Sequence, residues 1–379
     1  MKKKMCVVIA SRANYGRVKS LLLKLKNRCK LQIILSASAI LDRFGNIENQ
    51  ICNDGFKINY KSYMIVEGQN PITMSKSTGL AIIELSSMFE SLKPDIVVTV
   101  GDRYETLATA VAASYMNIAV AHIQGGEVSG SIDESVRHAI TKLSHIHFPA
   151  TQKSFNRLVK LGENKKNIFN VGCPSIDIIK NTNLSINKLS RDYNGTGYKI
   201  NFNEPYVLVL QHPVTTEYGN GSFQIKETLK AAKKLKMQVL WIWPNIDAGS
   251  DDISKELRIF KERNQNLKFG FYKNFYPEDY LRILNSAKCA IGNSSSFIRE
   301  GSYLGVPSVN IGTRQSFREH GKNIISVDYN NLSIYSAITK QLKIKKYKPE
   351  YIFGRGDAGS KIAKVLIKIN TRIQKNITY

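Results

Sequence analysis

Short apolar runs alternate with amphipathic segments along nearly the whole chain. In the first half, six apolar runs predict buried strands: MCVVIA, LQIILSASA, DIVVTVG, IAVAHI, IHFPAT and IFNVG. Segments with the apolar spacing of helices separate them, for example residues 16–27 and 103–116. Continuous apolar strands that alternate with helices are typical of parallel sheets covered on both faces. The pattern therefore predicts an α/β fold.

A polar stretch from Asn181 to Glu204, rich in Asn, Gly and Ser, interrupts this pattern and predicts a linker. The alternation then restarts, with strands expected at YVLVLQH, QVLWIWP, LKFGFY, CAIGN, PSVNIG and IISVDY. We therefore expect two doubly wound lobes, residues 1–182 and 183–358. A basic final helix, roughly Ser360 to Lys375 within residues 359–379, is expected to return to the first lobe.

Small, polar and ionisable residues follow the strands at the points where the strands end. The loops concerned are SRANYG (11–16), GDR (101–103), GGEVSGSID (125–133), HPVTT (212–216), PNIDAG (244–249), GNSSS (292–296) and GTRQ (312–315). Ligands of open α/β sheets bind at the carboxyl ends of the strands. These loops therefore predict a substrate cleft between the two lobes.

The loop GNSSS precedes a predicted helix and is a candidate phosphate site, because backbone N–H groups at a helix N-terminus and serine hydroxyls bind anions. Ordinary capping of the helix by one serine is the competing interpretation. Glu300, about one and a half turns into the helix, is placed to accept sugar hydroxyls. Arg314 and Arg12 would complete neutralisation of a diphosphate. Neither GxGxxG after a strand nor a Walker sequence is present, which disfavours dinucleotide redox chemistry and ATP hydrolysis.

Carboxylates are the other candidate chemical groups. Asp102 follows one predicted strand, and Glu127 and Asp133 follow the next. Asp102 alone would be interpreted as a helix N-cap. Neighbouring parallel strands lie about 4.8 Å apart, however, so these acids can converge on one ligand and raise one another's pKa. His212 is expected to face them from the second lobe, and His122, His138, His145 and His147 are interpreted as packing or capping residues.

Composition narrows the function further. The formal net charge is +25, but the basic residues are spread over helix faces, so nucleic acid is disfavoured and an anionic substrate is favoured. No apolar run reaches the roughly 18 residues of a membrane span. The start MKKKMCVVIA is interpreted as a first buried strand, which predicts a cytoplasmic protein. The five scattered cysteines predict reduced thiols, and their spacing suggests no metal site.

Several blocks together resemble the hydrolysing UDP-N-acetylglucosamine 2-epimerases of sialic acid synthesis and the epimerase half of the bifunctional animal enzyme. They are SRANYG, VGDRYETLATA, AHIQGGEVSGSIDESVRHAITKLSHIHF, LVLQHPVTTEYG, WPNIDAGSD, GNSSSFIREGSYLGVPSVNIGTRQ and GKNI, spanning residues 11 to about 325. The resemblance implies two Rossmann-like lobes in the GT-B arrangement. It also implies conversion of UDP-GlcNAc and water to ManNAc and UDP without metal or redox cofactor, by dimers or tetramers.

The resemblance also assigns roles to matched positions. It implies UDP contacts from Arg12, Ala13, Gly16, Arg103, His212, Asn245, Lys273, Asn274, Phe275, Ser294, Ser295, Glu300 and Arg314. Phe275 would flank the uracil, Glu300 the ribose, and Arg103 would reach the diphosphate. Asp102, Asp133 and His212 match catalytic positions, and we add Glu127 to this catalytic set. The implied chemistry loosens UDP from C1, moves a proton off C2 and returns one to the opposite face, with one carboxylate on each face.

Two positions depart from the family pattern. Gln124 stands where relatives usually have a glutamate with an acid/base role, and an amide cannot transfer a proton as a carboxylate does. Either Glu127 or Asp133 takes over that role, or the role is a polar contact to substrate. Asn14 stands where relatives often have aspartate.

Other functions remain open on the sequence alone. A related branch hydrolyses UDP-2,4-diacetamido-2,4,6-trideoxyglucose for legionaminic acid. A GT-B glycosyltransferase would share the nucleotide site but needs an acceptor groove. A non-hydrolysing epimerase would return UDP-ManNAc, and a nucleotide-sugar sensor would not need the acids.

Overall fold

The computed structural model describes residues 2–42 and 47–378 and contains two parallel-sheet lobes. Within those residues the first sheet has six strands in the order β3-β2-β1-β4-β5-β6, and all of its pairs are parallel. The strands are β1 (Lys4–Ile9), β2 (Lys30–Ser36), β3 (Tyr60–Ser62), β4 (Ile96–Val100), β5 (Ala119–Ile123) and β6 (Ile146–Phe148). Every residue of β4 and β5 is buried, as expected of central strands with helices on both faces.

Seven α-helices lie before residue 183 within the same described residues. They are α1 (Arg12–Leu25), α2 (Glu48–Asn53), α3 (Pro71–Leu92), α4 (Tyr104–Tyr115), α5 (Asp133–Leu143), α6 (Gln152–Lys160) and α7 (Pro174–Asn181). Helix α1 begins where the side chain of Ser11 accepts a hydrogen bond from the backbone of Asn14. This N-cap fixes the SRANYG loop at the end of β1.

The second sheet runs β13-β12-β11-β8-β9-β10-β7 in the described part of the chain, and only the short β7 is antiparallel to its neighbour. Its strands are β7 (Thr196–Gly197), β8 (Tyr206–Leu210), β9 (Gln238–Ile242), β10 (Phe269–Tyr272), β11 (Cys289–Gly292), β12 (Ser308–Ile311) and β13 (Ile324–Val327). The helices are α8 (Gly221–Lys233), α9 (Ser250–Arg263), α10 (Pro277–Ser286), α11 (Ser295–Leu304), α12 (Asn331–Leu342) and α13 (Ala358–Lys368). The predicted fold class is confirmed.

Two segments of the chain cross at glycines that pack against each other. Gly172 and Gly354 both have positive φ, and a Cβ on Gly172 would lie 2.9 Å from the Cα of Gly354. Beyond this crossing, the carboxylate of Asp177 accepts the N–H groups of Ala358 and Gly359, at 3.0 and 2.7 Å. Helix α13 is thereby capped, and it packs in the hydrophobic core of the first sheet. We keep the limits 1–182, 183–358 and 359–379 as our proposal for the division of the chain.

One predicted strand is wrong, and the final helix ends earlier than predicted. IFNVG is not a strand, because Ile168 forms only an isolated bridge with His147 and the chain turns at Gly172, where φ is 88°. The final helix ends at Lys368 and does not reach Lys375. The ammonium of Lys375 instead donates to backbone carbonyls of the first lobe and pairs with Glu163 at 2.6 Å, which holds this segment against the first lobe. Among the described residues, no helix has the length and apolar content that crossing a membrane requires.

Candidate active site

A cleft lies between the carboxyl edges of the two sheets. The predicted residues that line it are Arg12, Ala13, Gly16, Asp102, Arg103, Asp133, His212, Asn245, Asn274, Phe275, Ser294, Ser295, Glu300 and Arg314. They come from loops that follow strands of both lobes and from the beginnings of the helices after those loops, as the sequence pattern predicts. Gln124, Glu127 and Lys273 are not part of this lining.

Asp102 lies at the end of β4 and is held by an arginine. It does not cap α4, whose N-cap is Arg103 and lacks a side-chain capping bond. Its carboxylate accepts hydrogen bonds from Nε and Nη2 of Arg137, the first at 3.1 Å, and Arg137 is fully buried on α5. Burial by itself raises the pKa of Asp102, but the charges of Arg137 and Arg318 outweigh it and hold that pKa well below the usual range. Asp102 is therefore an anion at neutral pH.

Asp133 is the first residue of α5 and experiences the opposite effect. Burial, followed by the negative charge of Asp102, raises its pKa from 3.8 to about 6. Two carboxylates of one cleft thus have pKa values displaced in opposite directions. Such divergence allows one carboxylate to stay charged while the other exchanges a proton near neutral pH.

His212 follows β8 and is neutral. Its Nδ1 accepts the backbone N–H of Asn245 at 3.2 Å, so the ring proton resides on Nε2. Burial, and then the charges of nearby arginines, lower its pKa well below the ordinary value. Asn293 fixes the backbone of His212 through two hydrogen bonds, at 2.7 and 2.8 Å. His212 can therefore donate a hydrogen bond from Nε2 but is not a cation.

The serine loop combines capping with a role at the cleft. Gly292 has φ 130°, and a Cβ there would lie 2.1 Å from the carbonyl oxygen of Leu210, so only glycine fits. Ser294 is the N-cap of α11 and accepts from the backbone of Ser296. Ser295 is not needed for that purpose, and its hydroxyl accepts a hydrogen bond from Arg17 of the first lobe at 3.1 Å. The helix terminus and its hydroxyls face the cleft as an anion site would require.

The arginines around the cleft differ in their hydrogen-bond and ion-pair partners. Arg12 donates to the carbonyl oxygen of Lys273 at 2.6 Å, so Lys273 contributes its backbone to the site. Arg314 donates to the carbonyl of Asn293 at 3.2 Å. Arg103 is already paired with Glu105 at 2.9 Å and with Asp247 of the second lobe at 3.0 Å. Arg103 thus lines the cleft with its charge already balanced, which disfavours the expectation that it neutralises a diphosphate.

A further part of the cleft suits a nucleoside. The Oε2 atom of Glu300 is buried and has no hydrogen-bond partner among the described residues, and burial raises the pKa of this carboxyl. The ring of Phe275 packs against Tyr193 and Tyr272, with centroids 4.6 and 5.2 Å away. An acceptor with free capacity next to a fixed aromatic surface can hold ribose hydroxyls and a flat base.

Glu127 requires a correction. Its carboxylate is buried between Arg299 at 2.5 Å and Arg318 at 3.4 Å, outside the cleft lining, so it does not join the acids that face the substrate. Gln124 is also buried, with φ 69° and its amide donating to the sulfur of Cys173 at 2.9 Å. Neither side chain is part of the cleft wall.

The sequence interpretation missed several residues of the cleft, namely Arg17, Ser129, Ser175, Tyr280, Arg299 and Arg318. For two of them, their position in a helix relative to a predicted cleft residue could have identified them. Arg17 is one turn beyond Ala13 on α1, and Arg299 immediately precedes Glu300 on α11. Within residues 2–42 and 47–378, no group of three or more His, Cys, Asp or Glu side chains is arranged to hold a metal ion.

Proteins that match most of this chain include epimerases of nucleotide sugars. A family model described as UDP-N-acetylglucosamine 2-epimerase matches residues 23–367. The UDP-N-acetylglucosamine 2-epimerase of Neisseria meningitidis serogroup B is 32% identical over 100% of this chain and 97% of that protein. The GDP/UDP-N,N'-diacetylbacillosamine 2-epimerase (hydrolyzing) of Campylobacter jejuni is 34% identical over 92% of this chain and 89% of its own.

A solved structure has the same fold. It is Methanocaldococcus jannaschii UDP-GlcNAc 2-epimerase in complex with UDP-GlcNAc and UDP, with a TM-score of 0.78 at 20% identity, covering 96% of this chain and 99% of that one. The extent of the family match and the identity to these relatives confirm the resemblance found in the sequence. The chain belongs to the UDP-N-acetylglucosamine 2-epimerase family.

Proposed function

We propose that this protein converts UDP-GlcNAc and water to ManNAc and UDP, a reaction that supplies sialic acid synthesis. The observation that carries the proposal is the pair Asp102 and Asp133, whose pKa values are displaced in opposite directions within one cleft. A transferase that only exchanges the group on C1 has no need for proton transfer at C2. An epimerase has that need, and a carboxyl with a pKa of about 6 meets it.

The proposed UDP site uses the lining of the second lobe. Glu300 would accept the ribose hydroxyls, and Phe275 would flank the uracil. The α11 terminus, with Ser294 and Ser295, would receive the diphosphate together with Arg12 and Arg314. His212 would donate from Nε2, and the backbone of Asn245 and Asn274 would complete the wall.

The first chemical step breaks the bond from C1 to the diphosphate oxygen, and the electron pair leaves with UDP. Positive charge grows at C1, which makes the neighbouring C2 proton removable. Asp102, held ionised by Arg137, would stabilise that positive charge. Asp133 would take the proton from C2, so that a double bond forms between C1 and C2 and a 2-acetamidoglucal results. The arginines and the α11 terminus would stabilise the departing UDP.

Water is needed only in the second step. Its oxygen adds to C1 and loses one proton to solvent, while C2 receives a solvent-derived proton on the face opposite to the one that lost it, and Asp133 releases to solvent the proton that it took in the first step. This inverts C2 and gives the manno configuration, while the hydroxyl on C1 makes the sugar free. The two lobes can exclude bulk water during the first step and admit it for the second.

Product analysis by ³¹P and ¹H NMR with UDP-GlcNAc alone tests the proposal. We expect free ManNAc and UDP in equal amounts without any acceptor. UDP-ManNAc as the product would mean a non-hydrolysing epimerase, and turnover only with an added acceptor would mean a glycosyltransferase. Either outcome refutes the proposed reaction.

A second substrate is favoured by a specific observation. The Campylobacter jejuni relative, whose name specifies hydrolysis of N,N'-diacetylbacillosamine nucleotides, is as similar to this chain as the Neisseria enzyme is. UDP-2,4-diacetamido-2,4,6-trideoxyglucose is therefore the alternative substrate. Comparing kcat/KM on the two sugars decides between them, and the larger value identifies the substrate. A homodimer or homotetramer stays our prediction, to be checked by light scattering.

A further inference from the structure

We infer that Glu127 is a positioning residue that links contact between the lobes to the catalytic carboxylate, because it holds Arg318 next to Asp102. The inference rests on the proposed function and deepens it. Glu127 itself lies outside the cleft lining, so its effect on the reaction passes through the arginine.

Glu127 joins the two lobes at a buried point. It follows β5 in the first lobe, whereas its partners Arg299 and Arg318 belong to α11 and to the loop after β12 in the second lobe. The exposed fractions of the three residues are only 4%, 3% and 7%. Charges buried this deeply require close partners, and here the partners are supplied from opposite lobes. The ion pairs therefore exist only while the lobes are in contact.

Arg318 extends this connection to the cleft. Its Nη2 lies 3.4 Å from the Glu127 carboxylate and 3.7 Å from Asp102, while its Nε donates to the carbonyl of Val128 at 3.2 Å. Asp102 has a permanent partner in Arg137 of its own lobe. When the two lobes are in contact, the ion pair with Glu127 therefore places Arg318 of the second lobe next to Asp102.

The charges explain why the glutamate is required. Burial, and then the nearby charge of Arg299, lower the pKa of Arg318 to about 9, so the two guanidinium groups disfavour each other at this position. The Glu127 carboxylate contacts both and balances them. Without that negative charge, repulsion from Arg299 displaces Arg318 from Asp102. The charged groups around the reacting carbon are then less precisely positioned.

The test is Glu127→Gln in the full-length protein, assayed on the UDP-sugar that the wild type hydrolyses. We expect kcat to fall on the order of 10- to 100-fold, because Arg318 is displaced from its position next to Asp102. UDP affinity by calorimetry should change less than about threefold, since the UDP contacts remain. A wild-type kcat in folded Glu127→Gln overturns the inference. Failure of the proposed function gives a different result, because in that case the wild type itself releases no free sugar.

The matched control is Glu278→Gln. Glu278 also pairs across the lobes, with Lys19 at 2.7 Å, but it lies outside the cleft lining and Lys19 keeps Asp54 as a partner. We expect its kcat within about twofold of the wild type, as for an ordinary partly exposed ion pair. Equal losses in both variants would reduce Glu127 to a general contact between lobes and overturn the inference.

A double-mutant cycle separates action through Arg318 from a merely structural effect. If Glu127 acts through Arg318, the double variant Glu127→Gln/Arg318→Gln should lose no more kcat than Arg318→Gln alone. Multiplicative losses would contradict this. Should Glu127→Gln not fold, Glu127→Asp retains the charge with a shorter reach. We expect reduced kcat with unchanged UDP affinity for Glu127→Asp, and a wild-type kcat there overturns the inference.

Discussion

Replacing Asp102 by Asn removes one negative charge from the cleft and leaves the side-chain shape nearly unchanged. The amide oxygen can still accept from Arg137, which also keeps its ion pair with Glu134 at 2.8 Å. We therefore expect Asp102→Asn to fold. Its positive surroundings, Arg137 and Arg318, would no longer be balanced by a carboxylate, and Asp133 would lose the neighbour that raises its pKa.

The expected change in the pKa of Asp133 in this variant follows from how far that pKa is already perturbed. Its rise from 3.8 to about 6 corresponds to roughly 3 kcal/mol in favour of the protonated form. Burial is the larger cause and the charge of Asp102 the next, so removing that charge should lower the pKa of Asp133 by part of this shift. The loss of an anion beside C1 should separately reduce kcat on the order of 10²- to 10³-fold.

The assay is kcat/KM against pH, together with UDP binding by calorimetry. Asp133 must be ionised to take a proton, so wild-type activity should be present above pH 6 and lost as pH falls through about 6. In Asp102→Asn the acid limb should move to lower pH, the turnover should be mostly lost, and UDP should still bind. Asp251→Asn, an exposed carboxylate on α9, is the control and should change nothing. Full activity, or an acid limb that does not move, would refute the reasoning.

The remaining predictions concern binding, proton transfer and stability. Asp133→Asn should lower kcat more than Gln124→Ala, because only Asp133 is placed to exchange a proton; steady-state assays that give the reverse order would assign the amide the larger role. Glu300→Gln should weaken UDP binding about tenfold but leave pyrophosphate binding unchanged, since a charged acceptor for the ribose is lost; calorimetry that shows equal losses would contradict the ribose assignment. Asp177→Ala should lower the free energy of unfolding by about 1–3 kcal/mol, because two N–H groups at the start of α13 lose their acceptor; an unchanged denaturant midpoint would show that this cap contributes little.

The fold is accessible to sequence analysis because its signals are local. Apolar runs such as DIVVTVG and YVLVLQ correspond to fully buried central strands, and the loops after them supply most of the cleft. The failed prediction IFNVG shows the limit, because an apolar run of strand length gives no information on whether a neighbouring strand pairs with it. The helix α9 was not predicted either, although Ile253, Leu257 and Phe260 have the i, i+4, i+7 spacing of a helix.

The candidate site is less accessible because its charges are balanced over long distances in the sequence. Asp102 resembles a helix cap in the sequence, and only the fold places Arg137, 35 residues later, against it. Glu127 resembles a third acid for the substrate, yet its partner Arg299 lies 172 residues away in the other lobe. Which carboxylate is free to move a proton depends on these pairings, and no local pattern encodes them.

Reaction in D₂O measures the central claim most directly, because the account requires the bond between C2 and hydrogen to break in every turnover. With UDP-GlcNAc as substrate, ¹H NMR and mass spectrometry of the released ManNAc should show one deuterium on C2 in essentially every molecule. ManNAc that retains its original C2 hydrogen would contradict proton transfer by Asp133 and the elimination it serves.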